Sequence, residues 1–234
     1  MDGAAPQIRY HADLDQGSES WLAARSGLLT ASEMKKILTP TLKVAANDAT
    51  RAHVYELAAQ RLSGHVEPTY ISDDMLRGMT DEVDARLIYE KNCAPVTTMG
   101  FITNSRWGFT IGYSPDGLVG NDGLIECKSR LQKFQIQTIA ECVAAGTIPV
   151  DYMLQCQTGL LVSERSWLDF ISYSGGLPMV VIRVYPDDAV QSAILEAAAA
   201  FEAKVAAVID AYRDAVASDA RLFPTERRQI QELY

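Results

Sequence analysis

The 234-residue chain is short of several things at once, and each shortage removes a class of function. Its four cysteines, Cys93, Cys127, Cys142 and Cys156, form no CxxC pair, so neither a disulfide framework nor a cysteine zinc site is expected. Reduced side chains packed mostly as small hydrophobes are the expectation instead. Three histidines, His11, His53 and His65, are scattered without ligand spacing, which predicts neither a zinc site nor a histidine-based triad. No apolar run, 179–184 included, approaches the roughly 20 residues that cross a bilayer, so no membrane partner is predicted. Met1-Asp2-Gly3 opens with no basic or apolar leader, which predicts no secretory signal and a cytoplasmic location. Positive charge is also short: the formal net charge is -9, against a protein that coats nucleic acid through its phosphates, though compatible with a nuclease. The acidic excess is heavier beyond residue 140, which tilts any DNA surface toward the first two thirds.

What is present is a chain 48% apolar and 22% charged, enough for one continuous domain with a real core. After a polar leader, 18–25 reads as a short helix, and Thr30-Ala31-Ser32-Glu33 has the form of a capping box opening a helix through Leu38. Helical pattern returns over 48–62 and 72–92, the latter carrying Met75, Met79, Val83 and Leu87 at four-residue spacing. The texture then changes. A strand over 108–113, a Ser114-Pro115-Asp116-Gly117 turn, an Asn121-Asp122-Gly123 turn and a strand over 124–129 predict a hairpin region. Helices over 133–145 and 151–162, strands over 167–173 and 179–185, and an amphipathic helix over 188–217 complete the order. That order predicts an α/β or α+β domain whose mixed sheet carries helices on its faces.

Chemistry concentrates at Asp116 and, ten residues on, at Glu126-Cys127-Lys128. On a strand, Glu126 and Lys128 share one face while Ile125 and Cys127 take the other, toward the core. If the hairpin sets Asp116 beside Glu126, two carboxylates and an ammonium converge, and such a pair calls for a cation. Oxygen donors without cysteine or histidine favour Mg²⁺ or Mn²⁺. Glu-x-Lys also occurs at Glu33/Lys35 and Glu202/Lys204, both in predicted helices, where i and i+2 do not face each other. The plainer alternative is a turn-forming Asp116 and a surface Glu126–Lys128 pair. In the helix over 72–92, Gly78 costs about 1 kcal/mol relative to alanine, which suggests a close approach at that point. Glu82 and Ala85 share its face, so the Glu82 carboxylate can reach a site below, or simply be solvated. Trp21 to Arg25, followed by Thr30-Ala31-Ser32, offers a guanidinium beside a helix start, a seat for phosphate. Gln155 and Gln157 begin an amphipathic helix in which they hold backbone or water, or face solvent.

In this order, WLAAR with TAS, RGMTDEVDAR, YSPDG, IECKS and YMLQCQ resemble the motifs of the lambda exonuclease and YqaJ-type viral recombinase family, a branch of the PD-(D/E)xK nucleases. They span residues 21–157, and the strands and long helix over 167–217 carry no motif that aligns. The resemblance implies a restriction-endonuclease-like core, in which Asp116, Glu126 and the Cys127 backbone carbonyl hold two Mg²⁺ ions per site, with Mn²⁺ able to substitute. Glu82 completes the acidic site directly or through water, Lys128 orients or activates the attacking water, and Gln155 lies near the scissile phosphate. Arg25 anchors the 5'-phosphate with Ser32 and Ser114 as helpers. Arg130 and Lys133, by their closeness in sequence alone, are candidates for backbone phosphates. The family is similar in forming homotrimeric rings that thread double-stranded DNA ends, digest one strand 5' to 3' into mononucleotides and hand 3' overhangs to a single-strand annealing protein in phage-type recombination. This implies a phage or prophage protein in a bacterial host cell. A ring with an acidic exterior and a locally basic channel would reconcile DNA binding with the net charge. Two other readings remain: another PD-(D/E)xK endonuclease, or a catalytically silent DNA-end scaffold.

Overall fold

The computed structural model describes residues 7–67, 72–218 and 221–227; Met1, Asp2 and Gly3, on which the leader expectation rests, lie outside them. A first strand, β1 (Ile8–His11), leads to α1 (Glu19–Arg25), whose cap Ser18 accepts from the Trp21 amide. The short β2 (Leu29–Thr30) runs directly into a 3₁₀ helix (Ala31–Lys36). Then come α2 (Asp48–Ser63), capped by Asn47 and stopped at left-handed Gly64, and α3 (Asp73–Asn92), capped by Ser72. Four strands follow: β3 (Phe101–Asn104), β4 (Ile111–Tyr113), β5 (Gly117–Val119) and β6 (Gly123–Ser129). α4 (Gln132–Gln137) continues as a π-helical turn (Thr138–Cys142) before α5 (Val150–Ser163). The chain closes with β7 (Trp167–Tyr173), β8 (Val180–Val184) and the long α6 (Asp188–Ala217), whose first amides Asp187 caps.

The fold is mixed α/β, as expected, but its strands divide between two mixed four-stranded sheets, β1-β3-β4-β2 and β5-β6-β7-β8, with helices flanking them. β5 and β6 form the antiparallel hairpin, and β6 runs parallel to β7 over its whole length, Gly123 facing Trp167 and Ser129 facing Tyr173. The main core joins the 3₁₀ helix, α2, β4, α5 and α6 through Met34, Leu57, Tyr113, Leu160 and Phe201. A second cluster, with Ala85, Tyr89, Ile125, Cys127 and Ile171, packs α3 on the opposite face of β6–β7. There the buried Tyr89 hydroxyl donates to Asp169, which also receives two bonds from Arg183. That anchorage fixes α3, and with it Glu82, against the sheet. No helix is long and apolar enough to cross a membrane among the described residues. Three cysteines are buried and unpaired, as packed hydrophobes should be, while Cys93 is exposed.

Three expectations need correcting. Thr30 does not cap an α-helix through Leu38: its hydroxyl donates to the Glu33 carboxylate, and the turn that follows is 3₁₀. At three residues per turn, Ala31, Met34 and Ile37 fall on one buried face, which an α-helical turn would splay. The helix expected over 72–92 is present as α3; its Met75, Met79, Val83 and Leu87 stripe is exposed, from 46% at Val83 to 57% at Met79, and it packs through Ala85 and Tyr89. Finally, the polar leader contains β1, and the strand expected over 108–113 is regular only at Ile111–Tyr113.

Candidate active site

The β5–β6 hairpin places Asp116 at the open edge of β6. Pairing between the two strands ends at Gly117 opposite Ile125, so the next outward-facing residue of β6, Cys127, has no strand partner there. Its amide donates to Asp116 Oδ2 at 2.5 Å instead. Amide and carbonyl of one strand residue leave on the same edge, so the Cys127 carbonyl points to the same side. The turn bearing Asp116 is braced from a distance: Gln16 Nε2 donates to the carbonyls of Pro115 and Met99.

One residue before Cys127, Glu126 is 1% exposed and receives three donors. Lys128 Nζ (2.6 Å) and Gln155 Nε2 (2.5 Å) reach Oε1, and the buried Tyr113 hydroxyl (2.8 Å) reaches Oε2. A carboxylate offers about four acceptor positions, which leaves one open. The Glu126–Lys128 pair therefore exists, but not as the solvated surface pair of the plainer alternative. Lys128 stays on the polar face while Ile125 and Cys127 are fully buried on the other, as the alternation requires. Gln155 comes from α5 one turn after Asp151. Gln157 turns away and joins α5 to α6 by donating to the Tyr185 carbonyl and accepting from the Asp187 amide.

The electrostatics follow from four charged groups in a partly desolvated space. Desolvation and the Glu126 charge push the Asp116 carboxyl well above the usual carboxylate range. Burial likewise raises Glu82, with Lys128 opposing and Glu126 adding to the shift. Burial works against the Lys128 ammonium, but Glu126 and Asp116 outweigh it and hold the amine protonated, above its ordinary value. The lowered lysine pKa that burial alone would give is thus reversed by the two carboxylates. Tyr113, its pKa raised by burial and by Glu126, remains a donor.

Asp116 and Glu82 open onto a groove of about 1020 Å³, one wall of which is the apolar side of α3 with Met75, Met79 and Val83. Gly78 also lines it, yet a Cβ there would meet nothing within 4 Å, so no close approach among the described residues explains this glycine. The close approach belongs to another helical glycine. A Cβ on Gly159 of α5 would stand 2.7 Å from the Tyr113 ring, whose hydroxyl serves Glu126. Gly159→Ala is expected to destabilise the fold by about 1–3 kcal/mol through overpacking, read in denaturant unfolding, and to weaken any activity that depends on Glu126.

Beside this cluster lies a second. Arg25 stacks 4.4 Å from the Trp21 ring centroid and donates to Ser114 Oγ (3.1 Å) and Thr30 Oγ1 (3.4 Å). Ser114 Oγ also accepts from Trp21 Nε1 at 3.0 Å, which leaves its own proton free to donate outward. Burial lowers the Arg25 pKa and Glu33 partly restores it. Ser32 Oγ is 3.4 Å from Thr30 Oγ1, so Arg25, Ser32 and Ser114 meet around one hydroxyl network two residues from Asp116. Arg130 is held differently: it donates to the Tyr152 hydroxyl at 2.6 Å, between the Tyr152 and Phe134 rings, and Lys133 lies 4.8 Å from Phe134. Arg130 borders a separate hollow of about 640 Å³ shared with Arg77.

A third cluster was not legible in the sequence, where His53 has no partner at ligand spacing. Glu33, His53 and Glu56 bring donor atoms within 4.8 Å of one another. Lys36 already sits among them, 3.0 Å from Glu33 and 3.5 Å from Glu56. Burial tends to raise Glu56, but the hydrogen bond from His53 and the charge of Lys36 outweigh it and lower its pKa.

Comparisons with known proteins identify the family and the fold. The family profile of the YqaJ-like viral recombinase domain matches residues 20–166. Among solved structures, an alkaline exonuclease (LHK-Exo) from Laribacter hongkongensis is 33% identical, with a TM-score of 0.74 over 86% of this chain and 98% of that one. The same exonuclease in complex with dAMP is 34% identical with the same TM-score and coverage. A phage-related exonuclease from Haemophilus somnus 129PT, at 14% identity and a TM-score of 0.57 over 79% of this chain and 96% of that one, shares the fold. No curated protein matches the chain. With its profile match spanning the two clusters from Arg25 to Gln155, the chain belongs to the YqaJ-like viral recombinase family.

Proposed function

We propose that the protein is a metal-dependent exonuclease that digests one strand of double-stranded DNA from its 5'-phosphorylated end, 5' to 3', releasing mononucleotides. The observation that carries the reading is the adjacency of two unlike sites. An anion seat at Arg25 and Ser114 stands two residues in sequence from Asp116, whose cluster with Glu126, Lys128, Glu82 and Gln155 has the composition for phosphodiester hydrolysis. An end-phosphate anchor has no use in internal cutting. The 33% identity to an alkaline exonuclease supports an exonuclease.

The donor set suits a hard divalent cation. Asp116 and Glu82, both raised by burial and by the neighbouring Glu126 charge, are carboxyls whose ionised form lacks a sufficient counter-charge. Asp116, Glu126 and the Cys127 carbonyl would hold Mg²⁺ or Mn²⁺, two ions per site, with Glu82 bound directly or through water. Such ions supply a nucleophilic water at neutral pH and stabilise charge on the phosphorane. The chain's own groups do the rest. Tyr113 and Gln155 fix the Glu126 carboxylate in one orientation, and Gln155 lies where it can also contact the scissile phosphate. Lys128 Nζ, protonated beside Glu126, orients the attacking water. Arg25 and the free Ser114 proton bind the terminal 5'-phosphate, with Ser32 behind them. The apolar wall of α3 suits sugar and base faces better than phosphates. Arg130 and Lys133 remain candidates for backbone phosphates farther along. Assembly as a homotrimeric ring, one domain per subunit, cytoplasmic action in a bacterial host and delivery of 3' overhangs to an annealing protein belong to the same proposal.

The test is digestion of a linear duplex labelled at either 5' end, with and without Mg²⁺, alongside a covalently closed circle. Release of labelled mononucleotides only from linear DNA and only with the cation is expected. Cutting of closed circles at a comparable rate would remove the exonuclease reading, and digestion from 3' ends would remove its polarity.

A further inference from the structure

The Glu33–Lys36–His53–Glu56 cluster is one hydroxyl away from Arg25. Thr30 Oγ1 donates to Glu33 Oε2 (3.2 Å) and accepts from Arg25 Nη2 (3.4 Å), so the carboxylate and the guanidinium share one hydroxyl without pairing with each other. A free carboxylate at that range would close on the guanidinium, because a paired fork of charge-assisted bonds is the strongest contact either group can make. It does not close because Glu33 is held from the other side. Lys36 Nζ donates to Oε1 at 3.0 Å, while His53 Nε2 stands 3.4 Å from Oε2 without a hydrogen bond. His53 is itself fixed: 1% exposed, stacked on Phe201 at 5.3 Å between centroids and bonded through Nδ1 to Glu56 at 2.8 Å. The 3₁₀ geometry makes this possible, since residues three apart eclipse and Lys36 lies over Glu33. Thr50 Oγ1 donates to the Lys36 carbonyl at 2.6 Å and pins that turn to α2.

We propose that Lys36 acts as a positioning residue that holds the Glu33 carboxylate off Arg25, keeping the guanidinium free for the terminal 5'-phosphate of the substrate. This rests on the exonuclease reading above and adds a specificity role to a residue outside its site. Glu33 also commits the Thr30 proton, which leaves Thr30 Oγ1 an acceptor beneath Arg25 and sets the guanidinium plane. Released from Lys36, Glu33 would fill the fork that the phosphate needs and repel the dianion.

The test is the ratio of kcat/KM on 5'-phosphorylated to 5'-hydroxyl linear duplex, which a general folding defect, lowering both alike, does not move. Lys36→Met keeps the aliphatic stem and removes the ammonium. It is expected to cut the ratio by about 10-fold, the scale of one charge-assisted hydrogen bond. The double variant Lys36→Met with Glu33→Gln, whose amide oxygen still accepts from Thr30 but cannot pair with Arg25 as an anion, is expected to recover most of the ratio. An unchanged ratio in Lys36→Met, or a double variant as impaired as the single one, overturns the proposal. Arg25→Ala separates the two layers. If it leaves the ratio intact, the end-phosphate anchor itself fails; if it abolishes the ratio while Lys36→Met does not, only the role of Lys36 fails.

Discussion

Glu126→Gln is expected to abolish hydrolysis, by about 10³-fold or more, while binding to 5'-phosphorylated ends survives. The magnitude follows from what the carboxylate would do: direct metal ligation contributes several kcal/mol of transition-state stabilisation, and about 4 kcal/mol is already 10³-fold. Gln is the informative substitution because Glu126 is buried under three donors, Lys128, Gln155 and Tyr113. Glu126→Ala would strand the Lys128 ammonium, 20% exposed, without its counter-charge, a loss of the order of 3–5 kcal/mol for a buried pair. Its inactivity could then come from unfolding. Gln also removes the counter-charge but keeps the volume and one acceptor for Lys128, with Asp116 still nearby, so thermal unfolding should fall less than in the Ala variant and leave a folded protein while single-turnover cleavage disappears. Near-parental cleavage by a folded Glu126→Gln protein would remove the metal role of this residue.

The geometry of this centre was partly legible because it is built from local pieces. Alternation along β6 puts Glu126 and Lys128 on one face whatever the rest of the chain does, and the two turns flanking β5 bring Asp116 back to that strand. What was not legible depends on contacts far apart in sequence. Gln16 braces Pro115 from 99 residues away, and no local pattern distinguishes it from any exposed glutamine. The partner of β1 is β3, with Ile8 opposite Asn104, so a four-residue strand in a polar stretch gained its identity from a distant edge. Gly159 did leave a signal of the kind seen at Gly78, a glycine inside a helix, but only the approach of Tyr113 tells the two apart. The four-residue apolar spacing at α3 marks the helix but not its buried face: Met75, Met79 and Val83 line the groove, and the small Ala85 with Tyr89 faces the sheet. Thr30 misled for a chemical reason: the capping-box residues are present, but Glu33 took the hydroxyl proton rather than the Thr30 amide, and a three-residue apolar period did the rest.

The same charges that suit the site to a cation should make it a liability without one, so Asp116→Asn is expected to raise the thermal stability of the metal-free protein while abolishing hydrolysis. The sign follows from the raised Asp116 pKa. Where a folded carboxyl titrates above its unfolded value, both states are protonated at low pH and the group costs nothing. The penalty grows as pH rises through the unfolded value, about 4, and is complete above the folded one. Glu82 shifts in the same direction and adds to it. At neutral pH the metal-free parent therefore carries a penalty that Asn removes, and each 1 kcal/mol relieved corresponds to about 2–4 °C in Tm for a domain of this size. Below the unfolded value, about pH 4, the difference should vanish. Mg²⁺, which binds the ionised form, should stabilise the parent, and more so as pH rises, whereas the Asn variant should respond weakly. Scanning both proteins across pH with and without Mg²⁺ checks all of this together. A less stable Asn variant, or equal stabilisation of both proteins by Mg²⁺, would mean that Asp116 is a turn residue held by the Cys127 amide and nothing more.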